Sequence, residues 1–246
     1  MLKQFEVRWE GELPARPQDV WYAVTKQADG YLWPIEYEPR VGGAERGLTS
    51  RGGIVTAWEP PHRFATRTRA EADGLNELEY RFEAQGPITY MTYRHRTEVP
   101  ADDFDRQLDA CRRHTTFYQH SLGQYACYFA GREPAYISVE APPSSAQGGF
   151  AALRRALGVP DDVVAGDPVT LTPAGLKPIE GVVDYATSPF LGVRTPDALY
   201  RFYGRDEWEW PVAAAHHLFA DGVDRDASRG AWADWIAGVF ESERVA

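Results

Sequence analysis

The chain has 246 residues, of which 43% are hydrophobic and 13% aromatic, and it carries a net charge of −10 at pH 7. This length suits two domains of about 120 residues, and the composition is that of a globular protein rather than a disordered one. No apolar run reaches the ~20 residues of a membrane span, and the acid excess argues against a nucleic acid partner. Met1–Glu12 alternates charged and apolar residues, unlike a secretory signal, so we expect a cytoplasmic protein without a membrane span.

The first half of the chain predicts a strand, a short helix, a series of strands and a long helix. Phe5, Val7 and Trp9 alternate with charged residues, and helical spacing follows over residues 16–26. The five strands predicted next cover residues 35–40, 53–58, 63–69, 76–83 and 88–97. Apolar residues then recur at helical spacing from Asp103 to Phe129. These elements form an α+β unit whose long helix must cover the apolar face of a curved antiparallel sheet.

The second half predicts the same order of elements. A strand near 136–139 and a helix over Phe150–Leu157 come first. The strands predicted after them cover residues 169–171, 179–186, 190–194, 198–203 and 212–219. The last helix opens near Asp226 and carries an apolar stripe made of Trp232, Trp235, Ile236, Val239 and Phe240.

A short motif also recurs between the halves. Gly53-Ile54-Val55, followed by Arg67-Thr68, reappears as Gly181-Val182-Val183, followed by Arg194-Thr195. The shared element order and the motif predict a tandem duplication. We expect one domain over 1–131 with a candidate ligand cavity and a second, more compact domain over 136–246.

Three segments of the first half resemble a known superfamily. They are 15–21, 53–64 and 120–125, and they are similar to the START-like (SRPBCC) superfamily, most of all to the branch named after the activator of heat-shock protein 90 ATPase. The resemblance covers about residues 1–131 and reaches 136–246 only through the internal repeat. It implies a helix-grip fold in each copy, in which a cavity between the sheet and the C-terminal helix holds hydrophobic small molecules in many members. It carries no fixed catalytic residues.

Motifs for cofactors, metals and nucleophiles are missing from the sequence. The glycine pairs lack phosphate-loop spacing, and there is neither a Cys-x-x-Cys nor a His-Glu-x-x-His motif. His216 and His217 are adjacent on a predicted strand, so they should point to opposite faces. Cys111 and Cys127 lie about 24 Å apart on one predicted helix, and we expect both to be packing residues. We therefore expect no cofactor and no metal.

Aromatic residues are crowded into the first domain, where they either fill the core or line a pocket that must be apolar yet orient a ligand. Strand alternation places Phe64, Thr66 and Thr68 on one face, which we expect to point inward. The predicted ligand-binding residues are Trp21, Trp33, Tyr37, Trp58, Phe64, Thr66, Tyr80, Phe82, Tyr93 and Tyr118.

These features predict a protein that binds a hydrophobic or aromatic small molecule without evident catalytic chemistry. Two alternatives stay open. The resemblance allows a co-chaperone-like ATPase activator or protein-interaction module with a chaperone as partner. A polyketide cyclase or dehydratase would instead use polar groups such as Tyr80, Tyr93 or His95 inside the pocket.

Overall fold

The structure is a computed structural model, and it describes residues 1–69 and 74–242, apart from the side chains of Arg69 and Ser242. The chain divides into two compact units, Met1–Gly131 and a second one from Arg132 onward. Each unit is an α+β helix-grip fold, in which an antiparallel sheet is covered by a C-terminal helix. The predicted fold class of two such copies is confirmed.

The N-terminal unit contains seven strands and two α-helices among the described residues. They are β1 (Leu2–Leu13), α1 (Pro17–Lys26), β2 (Glu36–Tyr37), β3 (Ala44–Arg46), β4 (Gly53–Glu59), β5 (Arg63–Arg69), β6 (Leu75–Gln85), β7 (Ile88–Pro100) and α2 (Phe104–Tyr128). The sheet order is β1-β7-β6-β5-β4-β3-β2, and all neighbours are antiparallel. The helix α2 packs against β1 and β7. The site described below therefore lies between α2 and the inner face of the sheet.

Alternation along the strands decides which side chains face α2. Phe64, Thr66 and Thr68 on β5 are almost fully buried, as predicted from their spacing. The strand predicted over 35–40 is shorter than expected, because only Glu36–Tyr37 pairs with a neighbour. That neighbour, Ala44–Arg46, was not predicted.

The C-terminal unit has the same order of elements with one strand fewer. They are β8 (Ala135–Glu140), α3 (Gly149–Ala156), β9 (Pro168–Leu171), β10 (Ile179–Ala186), β11 (Phe190–Arg194), β12 (Ala198–Tyr203), β13 (Ala213–Leu218) and α4 (Arg225–Ser242). The sheet order is β8-β13-β12-β11-β10-β9, so the first strand again pairs with the last. Strands β10 and β11 therefore take the places that β4 and β5 hold in the N-terminal unit.

The inner face of the C-terminal sheet is filled by large side chains of α4. Trp232, Trp235, Ile236 and Phe240 are all buried in one core cluster. The His216 and Trp232 rings lie 4.3 Å apart, while His217 contacts Tyr136 at 5.4 Å. The two histidines occupy opposite faces of β13, as predicted, although both are fully buried.

The recurring motif marks the same irregularity in both sheets. The β4–β5 register shifts between Val55 and Ala57, and the β10–β11 register shifts between Val183 and Tyr185. A Cβ atom on Gly53 would collide with the Arg67 carbonyl, and one on Gly181 would lie 2.8 Å from the Arg194 carbonyl. Glycine is therefore required at both places by the close approach of the neighbouring strand.

Within the described residues, no helix is both long enough and apolar enough to cross a lipid bilayer.

Candidate ligand cavity

A cavity of about 190 Å³ lies in the N-terminal unit between α2 and the strands β6 and β7. Its walls come from the segment after α1, the loop after β3, the two strands and the inner face of α2. The lining residues are Tyr31, Leu32, Trp33, Leu48, Thr49, Asn76, Leu78, Tyr80, Tyr93, His95, Cys111, Thr115, Tyr118 and Gln119.

Four of the ten predicted ligand-binding residues line this cavity. Tyr80 on β6 and Tyr93 on β7 are cross-strand partners whose rings lie 4.9 Å apart. Trp33 and Tyr118 meet edge to face at 5.7 Å. Their amphipathic rings give the cavity apolar walls with a few polar groups.

The half-buried residues of the lining mark the side of the cavity nearest to solvent. Leu48 and Thr49 lie there on the loop after β3, and Tyr118 lies there on α2. Trp33 connects the two, because its indole Nε1 donates to the Gly47 carbonyl at 2.8 Å while its ring contacts Tyr118. Trp33 thus holds the loop against the helix at the mouth of the cavity.

The other six predicted residues lie outside the cavity lining. Trp21, Trp58, Phe64 and Phe82 pack edge to face, with Trp21 5.1 Å from Trp58, 6.2 Å from Phe64 and 6.0 Å from Phe82. Tyr37 contacts Phe64 at 4.7 Å, and Thr66, two residues along β5 from Phe64, is also buried. Five aromatic rings and Thr66 thus form a packed core next to the cavity.

A chain of hydrogen bonds crosses from β5 to α2 through the cavity wall. Asn76 Nδ2 donates to Thr68 Oγ1 at 2.9 Å, and Asn76 Oδ1 lies 2.6 Å from His95 Nε2. His95 Nδ1 lies 3.1 Å from Cys111 Sγ. The amide oxygen can only accept, so Nε2 carries the proton of the imidazole. Nδ1 is then an acceptor, and the Cys111 thiol donates to it.

Burial keeps both members of the His95–Cys111 pair uncharged at neutral pH. Loss of solvent around the ring lowers the pKa of His95 to about 4. Loss of solvent also raises the pKa of the Cys111 thiol to about 11, although a hydrogen bond from Thr115 acts in the opposite direction. Both residues retain some accessible surface, since they line the cavity.

A second polar group in the lining is built around Tyr80. Tyr31 and Gln119 both hydrogen-bond the Tyr80 hydroxyl, and burial raises the pKa of Tyr31, Tyr80 and Tyr93 above their usual value. The Gln119 side chain is almost fully buried, yet its amide oxygen Oε1 has no hydrogen-bond partner. A buried acceptor of this kind favours a ligand that can donate to it.

Sequence reasoning missed most of the polar lining. Cys111, Thr115 and Gln119 follow one another at intervals of four residues, so they share one face of α2. Asn76 has the same strand parity as Leu78 and Tyr80 on the inward face of β6. A polar residue at an inward position of an otherwise apolar face is the sequence feature that could have identified this lining.

No family model matches the chain, and no curated protein matches it. Solved structures similar to it include CalU16 from Micromonospora echinospora, which is 18% identical over 51% of this chain and 86% of that chain with a TM-score of 0.42. DynU16 from the dynemicin biosynthetic locus is 14% identical over 98% of both chains with a TM-score of 0.41. The Aha1 dimer from Colwellia psychrerythraea is 16% identical over 50% of this chain and 96% of that chain with a TM-score of 0.40.

Proposed function

We propose that the N-terminal unit binds a small, largely apolar molecule that is about as large as one substituted aromatic ring and carries a hydrogen-bonding group. The observation that carries this proposal is the cavity of about 190 Å³ between α2 and the sheet, which has aromatic walls and several polar side chains in its lining. The proposed contacts among the predicted residues are Trp33, Tyr80, Tyr93 and Tyr118.

The volume limits the size of the ligand. An apolar cavity of about 150 Å³ accommodates benzene, whereas pockets for drug-sized molecules have volumes of about 300–1,000 Å³. A cavity of about 190 Å³ is close to the smaller value. A long-chain lipid or a polycyclic compound would require the cavity to widen, so we favour a ligand with one ring.

The polar lining limits the chemistry of the ligand. Gln119 Oε1 is a buried acceptor without a partner, and Thr49 Oγ1 at the mouth also lacks one. A hydroxyl group on the ligand could donate to Gln119, and a carbonyl group could accept from Thr49. The ligand class that satisfies both is a phenol or an unsaturated alcohol with a carbonyl group.

The cyclase or dehydratase alternative draws on three polar residues that do meet at the cavity, Tyr80, Tyr93 and His95. Burial raises the pKa of both tyrosines and lowers that of His95, so all three are uncharged at neutral pH. General acid and base groups work best with a pKa near the working pH. The arrangement therefore favours binding over the repeated acid–base turnover of a cyclase or dehydratase.

We also infer that the two units arose by tandem duplication. The shared strand order and the shared register shift after Val55 and after Val183 support this inference. In the C-terminal unit Trp232 packs between the sheet and α4, where the N-terminal unit has its cavity. We assign the ligand site to the first copy and a structural role to the second.

The test is a matched pair of substitutions on neighbouring residues of α2. Thr115 faces the cavity, whereas Thr116 is exposed on the other side of the helix. In a screen of single-ring compounds by ligand-observed NMR, we expect Thr115→Phe to weaken binding at least tenfold because its ring fills the cavity. Thr116→Phe should bind like the wild type.

Binding that survives in Thr115→Phe would contradict the proposed site. Failure of every compound against the wild-type protein would contradict the proposed function, and it would favour the alternative of a protein partner such as a chaperone.

A further inference from the structure

We propose that the cavity captures its ligand covalently, with Cys111 adding to the β-carbon of a small α,β-unsaturated carbonyl compound and His95 acting as the base. This inference rests on the proposed function, because the electrophile must first bind in the cavity.

The geometry assigns a role to each member of the cluster. A nucleophile within hydrogen-bond reach of a base, which is itself oriented by a third group, is the arrangement of covalent catalysis. Cys111 Sγ lies 3.1 Å from His95 Nδ1, and Asn76 Oδ1 holds His95 Nε2 at 2.6 Å. Papain-like proteases use the same three residue types, Cys, His and Asn, on an unrelated fold, although their resting Cys–His pair is charged and this one is neutral.

The tautomer of His95 is the one that this role requires. Asn76 is fixed by its own hydrogen bond to Thr68, so it keeps the imidazole proton on Nε2. The lone pair on Nδ1 then faces the thiol and can accept its proton. Thr115 is hydrogen-bonded to the Cys111 side chain and would stabilise negative charge developing on the sulfur.

The step can be written with all atoms and electrons accounted for. The thiol proton moves to His95 Nδ1 while the sulfur forms a bond to the β-carbon of the ligand. The π electrons of the C=C bond move toward the carbonyl, and His95 then returns the proton to the α-carbon. The product is a thioether with the carbonyl group retained, so no group leaves and no oxidant or reductant is consumed.

An addition suits this cavity better than a displacement does. The reactants and the product are neutral, so no ion is left in a site that disfavours charge. Gln119 Oε1, a buried acceptor without a partner in the same lining, independently indicates a polar small molecule here. An aromatic enone of one ring meets the limits of volume and reactivity, and a hydroxyl group on its ring would add a hydrogen bond to Gln119.

The resting pair is uncharged, so the thiol should react slowly with reagents that have no affinity for the cavity. Cys127 is exposed on the same helix, so the expectation that it is a packing residue was wrong, and it provides an internal comparison. We expect iodoacetamide to modify Cys127 at least tenfold faster than Cys111. We expect the opposite preference for an aromatic enone.

The experiment uses the full chain and two probes that differ by one double bond. Benzylideneacetone is the enone, and benzylacetone is its saturated analogue, which can bind but cannot react. Intact-protein mass spectrometry of Cys127→Ser should show one benzylideneacetone adduct, and peptide mapping should place it on Cys111. The double variant Cys111→Ser, Cys127→Ser should show none. His95→Gln in the Cys127→Ser background should form the adduct at least tenfold more slowly.

Benzylacetone binding separates the possible failures and shows that each variant keeps an intact cavity. If benzylacetone binds but benzylideneacetone gives no adduct, the covalent step is wrong and the binding function stands. If neither probe binds or reacts, the covalent proposal is overturned, and the screen of single-ring compounds decides whether the binding function stands. An adduct on Cys127 alone, or one that forms at the same rate in a His95→Gln variant that still binds benzylacetone, would also overturn the proposal.

Discussion

His95 on β7 and His216 on β13 each lie on the strand that comes last in the sequence of its sheet, but their surroundings differ. His95 faces Cys111 on α2, and the neighbours on that helix face are small or polar. His216 faces Trp232, and the Tyr200 and Phe202 rings lie 4.9 Å and 5.1 Å from it. The first histidine is therefore positioned for a relay of hydrogen bonds, while the second is a packed core residue.

His216 gives a prediction about pH. It is fully buried, and burial lowers its pKa from 6.5 to about 3. In the unfolded chain this histidine binds a proton near pH 6.5, whereas in the folded chain it does not do so until about pH 3. The free energy of unfolding therefore keeps its full value above pH 6.5 and falls as the pH is lowered below it. We expect His216 to remove about 2 kcal/mol of unfolding free energy between pH 7 and pH 5.

Urea unfolding at the two pH values measures this effect. His216→Gln cannot titrate, so its loss between the two values should be smaller than that of the wild type. The same substitution at the exposed His62 serves as the control and should leave the loss unchanged. An equal loss in wild type and His216→Gln would contradict the prediction.

At the same scale, the sequence predicts which side chains turn inward but not where space remains between them. The alternation of Phe64, Thr66 and Thr68 is a local property of one strand, and its prediction is confirmed. The separation of Trp33 and Tyr118 from Trp21 and Phe64 depends on how α2 packs on the sheet. That packing involves residues far apart in the sequence, so periodicity alone does not contain it.

Among the elements, the long periodic ones are predicted well. The helix expected over Asp103–Phe129 is observed as Phe104–Tyr128, and the strand expected over 198–203 is observed as Ala198–Tyr203. The short strand β3 was missed because Ala-Glu-Arg shows no apolar alternation. Its Glu45 is buried all the same, and it accepts a hydrogen bond from the Leu48 backbone at 2.7 Å.

A glycine on the middle one of three adjacent strands in the C-terminal sheet leaves room for an ion pair between the outer two. Arg201 on β12 and Asp184 on β10 form a buried two-point ion pair, with nitrogen-to-oxygen distances of 2.9 Å and 2.7 Å. The pair crosses Gly192 on the intervening strand β11. A Cβ atom there would collide with the Asp184 carboxylate and lie 2.7 Å from Arg201 Nη1.

We therefore expect Gly192→Ala to lower the free energy of unfolding by about 1–3 kcal/mol, because the added methyl group forces the ion pair apart. Gly230→Ala in α4 is the matched control, since nothing lies within 4 Å of a Cβ atom at that position. Alanine favours a helix over glycine, so this control should gain roughly 0.5–1 kcal/mol. Urea denaturation of both variants measures the difference, and a neutral Gly192→Ala would contradict the prediction.

At the scale of the whole molecule, the two units share one strand order but differ in how the C-terminal helix packs on the sheet. In the N-terminal unit the residues of α2 that line the cavity are Cys111, Thr115, Tyr118 and Gln119. In the C-terminal unit the helix α4 places Trp232 and Trp235 in the core. A few residues on one helix face thus decide whether a helix-grip unit has room for a ligand.

The pairing of the first strand with the last one has a consequence for how each unit assembles. All twelve residues of β1 pair with β7, from Leu2 with Pro100 to Leu13 with Thr89, whereas β4 to β7 form hairpins with their neighbours in sequence. During synthesis on the ribosome, β1 must therefore wait until β7 has emerged. Closing so long a loop costs more entropy than closing a hairpin does.

Pulse-labelled hydrogen exchange during refolding measures this order of assembly. We expect the amides of β4 to β7 to become protected from exchange before those of β1. The reverse order would show that β1 nucleates the sheet.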